Sequence, residues 1–171
     1  MARQRPLRFD PIEEARRQWE AHGWRDAAPG MAAVTSVFRA QQIYLARIDS
    51  VLRPLGLTFA RYEVLMLLLF SRAGALPLNK VGARLQVHPT SVTNAVDRLQ
   101  VQGFLRRVRH PTDKRTTLAE ITEEGRAVAL KATDAVNREI FASPDLSEAQ
   151  LDDLVALLRR LRASTGDFEG D

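Results

Sequence analysis

Between Leu76 and Thr122 the apolar positions change period twice, and that change predicts the layout of the middle of the chain. Val81 and Leu85 lie four apart, one face of a short helix. Gln86, Val87 and His88 break it, and Pro89 restarts a helix at the first-turn position, where a missing N–H costs nothing. Val92, Val96 and Leu99 then recur at helical spacing, so one face of this second helix is buried. Its other face carries Thr90, Ser91, Asn94 and Arg98, hydrogen-bonding or charged groups about a turn apart with no apolar anchor. Gly103 ends the helix, as a residue tolerant of left-handed backbone does. Phe104 to Arg109 and Thr116 to Ile121 then read as antiparallel strands around the turn chemistry of His110, Pro111, Thr112 and Asp113.

Helical patterns flank this segment on both sides. Asp10 is placed to cap a helix opened by Pro11, with Glu13 and Glu14 in its first turn, running to about His22. Its Ile12, Ala15 and Trp19 fall on one side, and an Asp/Ala/Pro/Gly linker follows. From Met31 to Leu52, Val34, Phe38, Gln41, Leu45, Ile48 and Leu52 step by three and four, a seam that requires another helix. Pro54 ends it. Thr58 is the expected cap of the next helix, with Tyr62, Leu65, Met66, Leu69 and Phe70 at the centre of the core and Gly74 as its stop. The Ala75–Leu78 run is a candidate third strand. After the hairpin, Thr122 caps a helix whose Glu123 and Glu124 suit the positive end of its dipole; it runs to about Phe141, where Ser143-Pro144 stops it. Ser147 and Gln150 form a capping box for a last helix striped with Leu151, Leu154, Leu158 and Leu161.

The expected fold is therefore mainly α with a small β wing: a winged helix-turn-helix plus a dimerisation region built from terminal helices. Its boundaries are an extension with a short helix over 1–30, helical dimerisation segments over 31–57 and 122–164, a winged segment over 58–121 and an acidic tail over 165–171. The terminal seams would pair with those of a second chain; folding back within one chain is the alternative.

Charge sharpens the picture. The net charge of the 171 residues is only +4, but Gly103 to Arg115 holds five basic side chains (Arg106, Arg107, Arg109, Lys114, Arg115) against one acid, Asp113. A polar-faced helix beside such a hairpin suits duplex DNA: the helix enters the major groove and the arginine tip reaches the adjacent minor groove. Hydroxyls, amides and backbone N–H groups near the helix start meet bases and phosphates. A wing used only for protein or RNA contact is the rival reading. The 45% hydrophobic content supports a folded core. The absence of cysteine excludes disulfides, thiolate metal sites and a thiol oxidation sensor. Three histidines, His22, His88 and His110, have no metal-ligand spacing, so no cofactor is expected. No nucleophile elbow, phosphate loop, dinucleotide glycine motif or HExxH is present, which argues against an enzyme. Val64 to Phe70 is too short to span a bilayer and Met1 to Phe9 is not followed by a signal-type apolar run, so a cytoplasmic protein is expected.

The segment from His88 to Gly125 resembles the DNA-binding region of MarR-type transcriptional regulators. Asp113, Lys114 and Arg115 match the D-x-R wing tip, and Leu118, Ile121, Thr122 and Gly125 match the strand and the Thr-x-x-Gly helix start. The resemblance extends more loosely over Met31 to Leu161. It implies a homodimer on an inverted-repeat operator, commonly acting as a repressor, with half-sites about one helical turn or roughly 34 Å apart. His88, Pro89, Thr90, Ser91, Thr93, Asn94, Arg98, Arg107, Asp113, Lys114 and Arg115 are the implied DNA-facing residues. Arg115 would enter the minor groove with Asp113 holding it. The resemblance further implies release by a small aromatic or anionic effector. Tyr44, Phe59, Arg61 and Tyr62 are candidates to bind it, with Trp19 or Trp24 closing the site. Ordinary core, and aromatic packing that fastens the N-terminal extension, are the alternatives for those residues.

Overall fold

The computed structural model describes residues 7–113, 115–142 and 145–169. Expectations that fall on residues 1–6, Lys114, Ser143, Pro144 and 170–171 lie outside the described residues.

Helix α1 (Pro11–Ala21) starts at Asp10, whose carboxylate accepts the Ile12 N–H at 2.8 Å. Helix α2 (Ala28–Leu52) begins three residues before the apolar seam does. Pro29 sits in its first turn, where no intrahelical N–H bond is needed, so the apparent linker Ala28–Gly30 is already helix. A 3-10 turn (Arg53–Leu55) absorbs Pro54 and leads to α3 (Phe59–Leu69). The Thr58 side chain does not cap α3; the Phe59 N–H instead donates to the Asp49 carboxylate at 2.8 Å, tying α3 to α2.

Strand β1 (Ala75–Pro77), helices α4 (Leu78–Leu85) and α5 (Pro89–Val101), and strands β2 (Leu105–Arg109) and β3 (Thr117–Ile121) follow. The antiparallel sheet has the order β1-β3-β2, so the Ala75–Pro77 run does supply the third strand. Helix α6 (Glu123–Val136) starts at Thr122, whose hydroxyl accepts the Gly125 N–H at 3.0 Å and donates to the Gly103 carbonyl at 2.7 Å. A Cβ on Gly125 would stand 1.9 Å from the Phe104 carbonyl oxygen, so only glycine lets α6 lie this close to the start of β2. The last turn of this rod widens to π geometry over Asn137–Phe141. Helix α7 (Glu148–Ser164) opens with the Ser147–Gln150 capping box.

The core gathers Ile48 and Leu52 of α2, Val64, Leu65 and Leu68 of α3, Val92, Val96 and Leu99 of α5, and Ala129 and Val136 of α6. One expectation is corrected. Phe70 is 77% exposed, lying just past the last residue of α3; Leu68 and Val64 take the central places. The α2 seam is divided: Ile48 and Leu52 are buried, whereas Val34, at 54%, and Phe38, at 61%, stand exposed. No residue of α7 is buried, and Leu154, Val155, Leu157 and Leu161 form an open apolar face.

Candidate nucleic-acid interface

Helix α5 is held on the body by Val92, Ala95, Val96 and Leu99, all buried. That rotation turns Thr90, Ser91, Thr93, Asn94, Asp97 and Arg98 outward together. His88 is its cap: the Nδ1 atom accepts the Thr90 N–H at 3.2 Å, and Pro89 occupies the first turn. Thr93 donates back to the Pro89 carbonyl at 3.1 Å. Ser91, Asn94 and Arg98 have no side-chain partner among the described residues; together with Thr58 and Arg61 they line an open cleft of about 450 Å³ between the start of α3 and α5.

The wing turn is organised by two side chains. His110 Nδ1 accepts the Thr112 and Asp113 N–H groups at 3.3 and 3.2 Å. Asp113 accepts the Arg115 backbone N–H at 3.0 Å and the Thr116 hydroxyl at 2.6 Å. Those two donors, the Thr116 hydroxyl first, hold the Asp113 carboxyl below the usual carboxylate range, with a smaller contribution from the nearby His110. Asp113 therefore grips the backbone of Arg115, and the Arg115 guanidinium pairs with no carboxylate among the described residues.

Not every arginine of the hairpin is available. Arg106 and Glu120 face each other across β2 and β3 with Nε–Oε2 at 2.8 Å and Nη2–Oε1 at 3.2 Å. Each shifts the other: Arg106 holds the Glu120 carboxyl down, and Glu120 raises the Arg106 guanidinium. Arg107, expected to face DNA, turns to the opposite side of the strand. Its Nη2 lies 2.6 Å from Asp97 Oδ1 and its Nη1 donates to Gln100 Oε1 at 2.8 Å. Asp97 and Gln100 carried no signal in the sequence, since their role depends on where the strand returns to the helix. Arg109 has no partner among the described residues, and Lys114 lies outside them.

The expected effector residues do not form one constellation. Trp19 and Trp24 meet edge to face with ring centroids 5.3 Å apart, and His22 stacks on Trp24, at the junction of α1 and α2. That is the fastening arrangement. Tyr44 is exposed on α2 beneath the Arg47 guanidinium. Arg61 points toward α5, donating to Thr58 Oγ1 at 3.2 Å and Gln102 Oε1 at 3.3 Å. Phe59 and Tyr62, one step further round α3, line a separate pocket of about 460 Å³ between α3 and α6. The Tyr62 hydroxyl bonds Thr133 Oγ1 there at 3.0 Å. Glu63 belongs to the same pocket, and burial pushes its carboxyl upward. Among the described residues no cluster of three or more His, Asp or Glu is placed to hold a metal ion, and no helix is long and apolar enough to cross a membrane.

The same arrangement of elements occurs in known proteins. The model of the MarR family matches residues 57–117, the span from the start of α3 to the start of β3. Sco5413, a MarR family transcriptional regulator from Streptomyces coelicolor, is similar at 48% identity over 83% of this chain and 99% of that one, with a TM-score of 0.75. Sco3205, a MarR family transcriptional regulator from the same organism whose structure is a complex with DNA, is 26% identical over 78% of this chain and 88% of that one, with a TM-score of 0.68. The HTH-type transcriptional regulator MhqR of Bacillus subtilis is 33% identical over 60% of this chain and 62% of its own length. The chain covers 54% to 62% of the first curated relatives that it matches.

Proposed function

This chain belongs to the MarR family, and on that premise we propose that it is a transcriptional regulator that reads double-stranded DNA as a homodimer. The observation that carries the reading is the outward face of α5, where Ser91, Asn94 and Arg98 have no intramolecular partner among the described residues, next to a wing whose Arg115 guanidinium is equally free. Unsatisfied amide, hydroxyl and guanidinium groups on one rigid surface suit base edges and phosphates. Asn94 and Arg98 enter the major groove, and Arg115 reaches a narrow A·T-rich minor groove through its electrostatic potential. That Sco3205, a similar MarR family regulator, forms a complex with DNA supports a duplex as the partner.

The dimer rests on the open apolar faces of α2 and α7. Val34, Val37 and Phe38 together with Leu154, Val155 and Leu157 form more exposed apolar surface than a lone soluble chain ordinarily keeps. Two copies related by a twofold axis then read an inverted repeat with half-sites about one helical turn apart. Occupying a promoter in this way blocks polymerase, so repression is the default sign. A small aromatic effector held by Phe59 and Tyr62 beside the dimer helices releases the DNA.

The test is binding of the purified chain to the intergenic DNA next to its own gene, measured over a salt series. A steep fall of affinity with salt and a preference for one palindromic sequence support regulation. No binding in dilute buffer, or equal binding after Asn94→Ala and Arg115→Ala, returns the fold to a role in protein or RNA contact.

A further inference from the structure

The α3–α6 pocket differs in chemistry from an anion site. Glu63 is its one carboxyl, and no lysine, arginine or histidine lines it. Glu63 has no hydrogen-bond or ion-pair partner among the described residues, although it is half withdrawn from water. Around it stand Phe59, Tyr62, Phe70 and Phe141, with the soft sulfur of Met66. Arg61, the arginine nearest in sequence, is committed to Gln102 and Thr58 on the other side of α3.

A desolvated, unpaired carboxyl is unfavourable until a positive charge meets it. Aromatic rings favour the same sign, because their faces are negative. An aromatic acid placed here would bring a second carboxylate toward Glu63 with no cation to offset it. We propose that this pocket binds a hydrophobic organic cation, such as an aryl phosphonium or a quaternary ammonium compound carrying aromatic groups. Glu63 supplies the charge and the four rings supply the contact area. Phe70 lines the pocket while remaining largely exposed to solvent. The regulatory consequence, weakened DNA binding when the pocket is filled, rests on the function proposed above; the binding itself does not.

The experiment compares tetraphenylphosphonium with tetraphenylborate, ions of one shape and opposite charge, by calorimetry on the full chain without DNA. The cation is expected to bind at least ~10-fold more tightly, the worth of one carboxylate or cation–π contact. Glu63→Gln is expected to remove that preference while circular dichroism and affinity for duplex DNA stay unchanged. Equal or tighter binding of the borate overturns the proposal, as does full retention of cation affinity in Glu63→Gln. If neither ion binds and hydrogen exchange shows the pocket face protected in a dimer, its occupant is a second copy of the chain, and the proposal fails. Duplex affinity is measured separately without either ion. Absence of DNA binding there refutes the regulator reading and does not alter what the two ions show about the pocket.

Discussion

The Arg107 guanidinium lies 2.6 Å from the Asp97 carboxylate, so the first strand of the wing is tied to the exposed side of the helix that precedes it. Gln100 accepts a second N–H of the same guanidinium at 2.8 Å. The angle between α5 and the hairpin is thereby set by a two-pronged polar contact rather than by the core alone. Two-pronged arginine contacts carry geometric information that a lysine would not supply.

Arg107→Ala is expected to lower affinity for the cognate duplex by about 1.4 kcal/mol, a tenfold loss. The fold should hardly notice. A partly exposed ion pair contributes roughly 0–1 kcal/mol, which moves the melting temperature by less than about 4 °C in a chain of this size. Fluorescence anisotropy beside a thermal melt separates the two effects. An equal loss in both would mean that Arg107 is only a stabilising residue.

Asn94→Ala and Arg115→Ala should fail in different ways. Loss of a bidentate base contact at Asn94 costs about 1–3 kcal/mol on the preferred sequence and little on random DNA. Loss of the Arg115 charge lowers the salt slope by about one and weakens binding most where the flanks are A·T-rich. Titrations at several salt concentrations on matched and scrambled duplexes distinguish them.

Gly125→Ala is expected to destabilise the chain by about 3 kcal/mol, at the severe end of overpacking. The new methyl would overlap the Phe104 carbonyl oxygen, which is backbone and cannot rotate away. At ~2–4 °C per kcal/mol the melting temperature should fall by about 6–12 °C. A neutral melt would show that α6 shifts freely against the sheet.

Phe38→Glu places a charge on the exposed half of α2, away from the core residues Ile48 and Leu52. On the proposed dimer, sedimentation should then show a monomer of unchanged helicity at concentrations where the parent chain associates. Operator affinity should fall with it, since one reading head contacts only half of the site. A dimer that persists places the interface elsewhere.

The Asp113 turn supplies a pH dependence whose sign follows from the direction of its shift. Its carboxyl titrates below the ordinary value of about 3.9, so its stabilising bonds are fully present above that value and are lost as pH falls through the lowered one. Amide exchange at Arg115 and Thr116 should stay flat from pH 7 to about 5 after correction for intrinsic rates, and protection should disappear only in stronger acid. Asp113→Asn, which keeps one acceptor, should loosen the turn at every pH.

Much of this architecture was legible because local chemistry and burial agree. Asp10, Pro89, Thr122 and the Ser147–Gln150 pair mark helix starts where the helices do start. Val92, Val96 and Leu99 fixed which side of α5 faces out. What escaped depends on long-range placement. Pro29 and Gly30 look like a linker in sequence, yet the first turn of a helix accommodates both. Phe70 continues the apolar run of α3, but the helix stops before it. Arg61 and Tyr62 are neighbours in sequence, and about 100° of helical rotation puts them on different surfaces, one toward α5 and one toward α6. Arg107 looked like one more positive charge until the return of the strand placed it against Asp97.

Helix α2 is one uninterrupted rod of 25 residues, about 37 Å long, anchored in the core by Ile48 and Leu52 at its C-terminal end and bare along residues 33–47. Such a member works as a lever. Whatever clasps the bare arm sets the inclination of Asp49, and through its bond to Phe59 the attitude of the helices beyond it. A swing of a few degrees at the handle would therefore separate or converge two distant tips by several ångströms without any core side chain changing its neighbours.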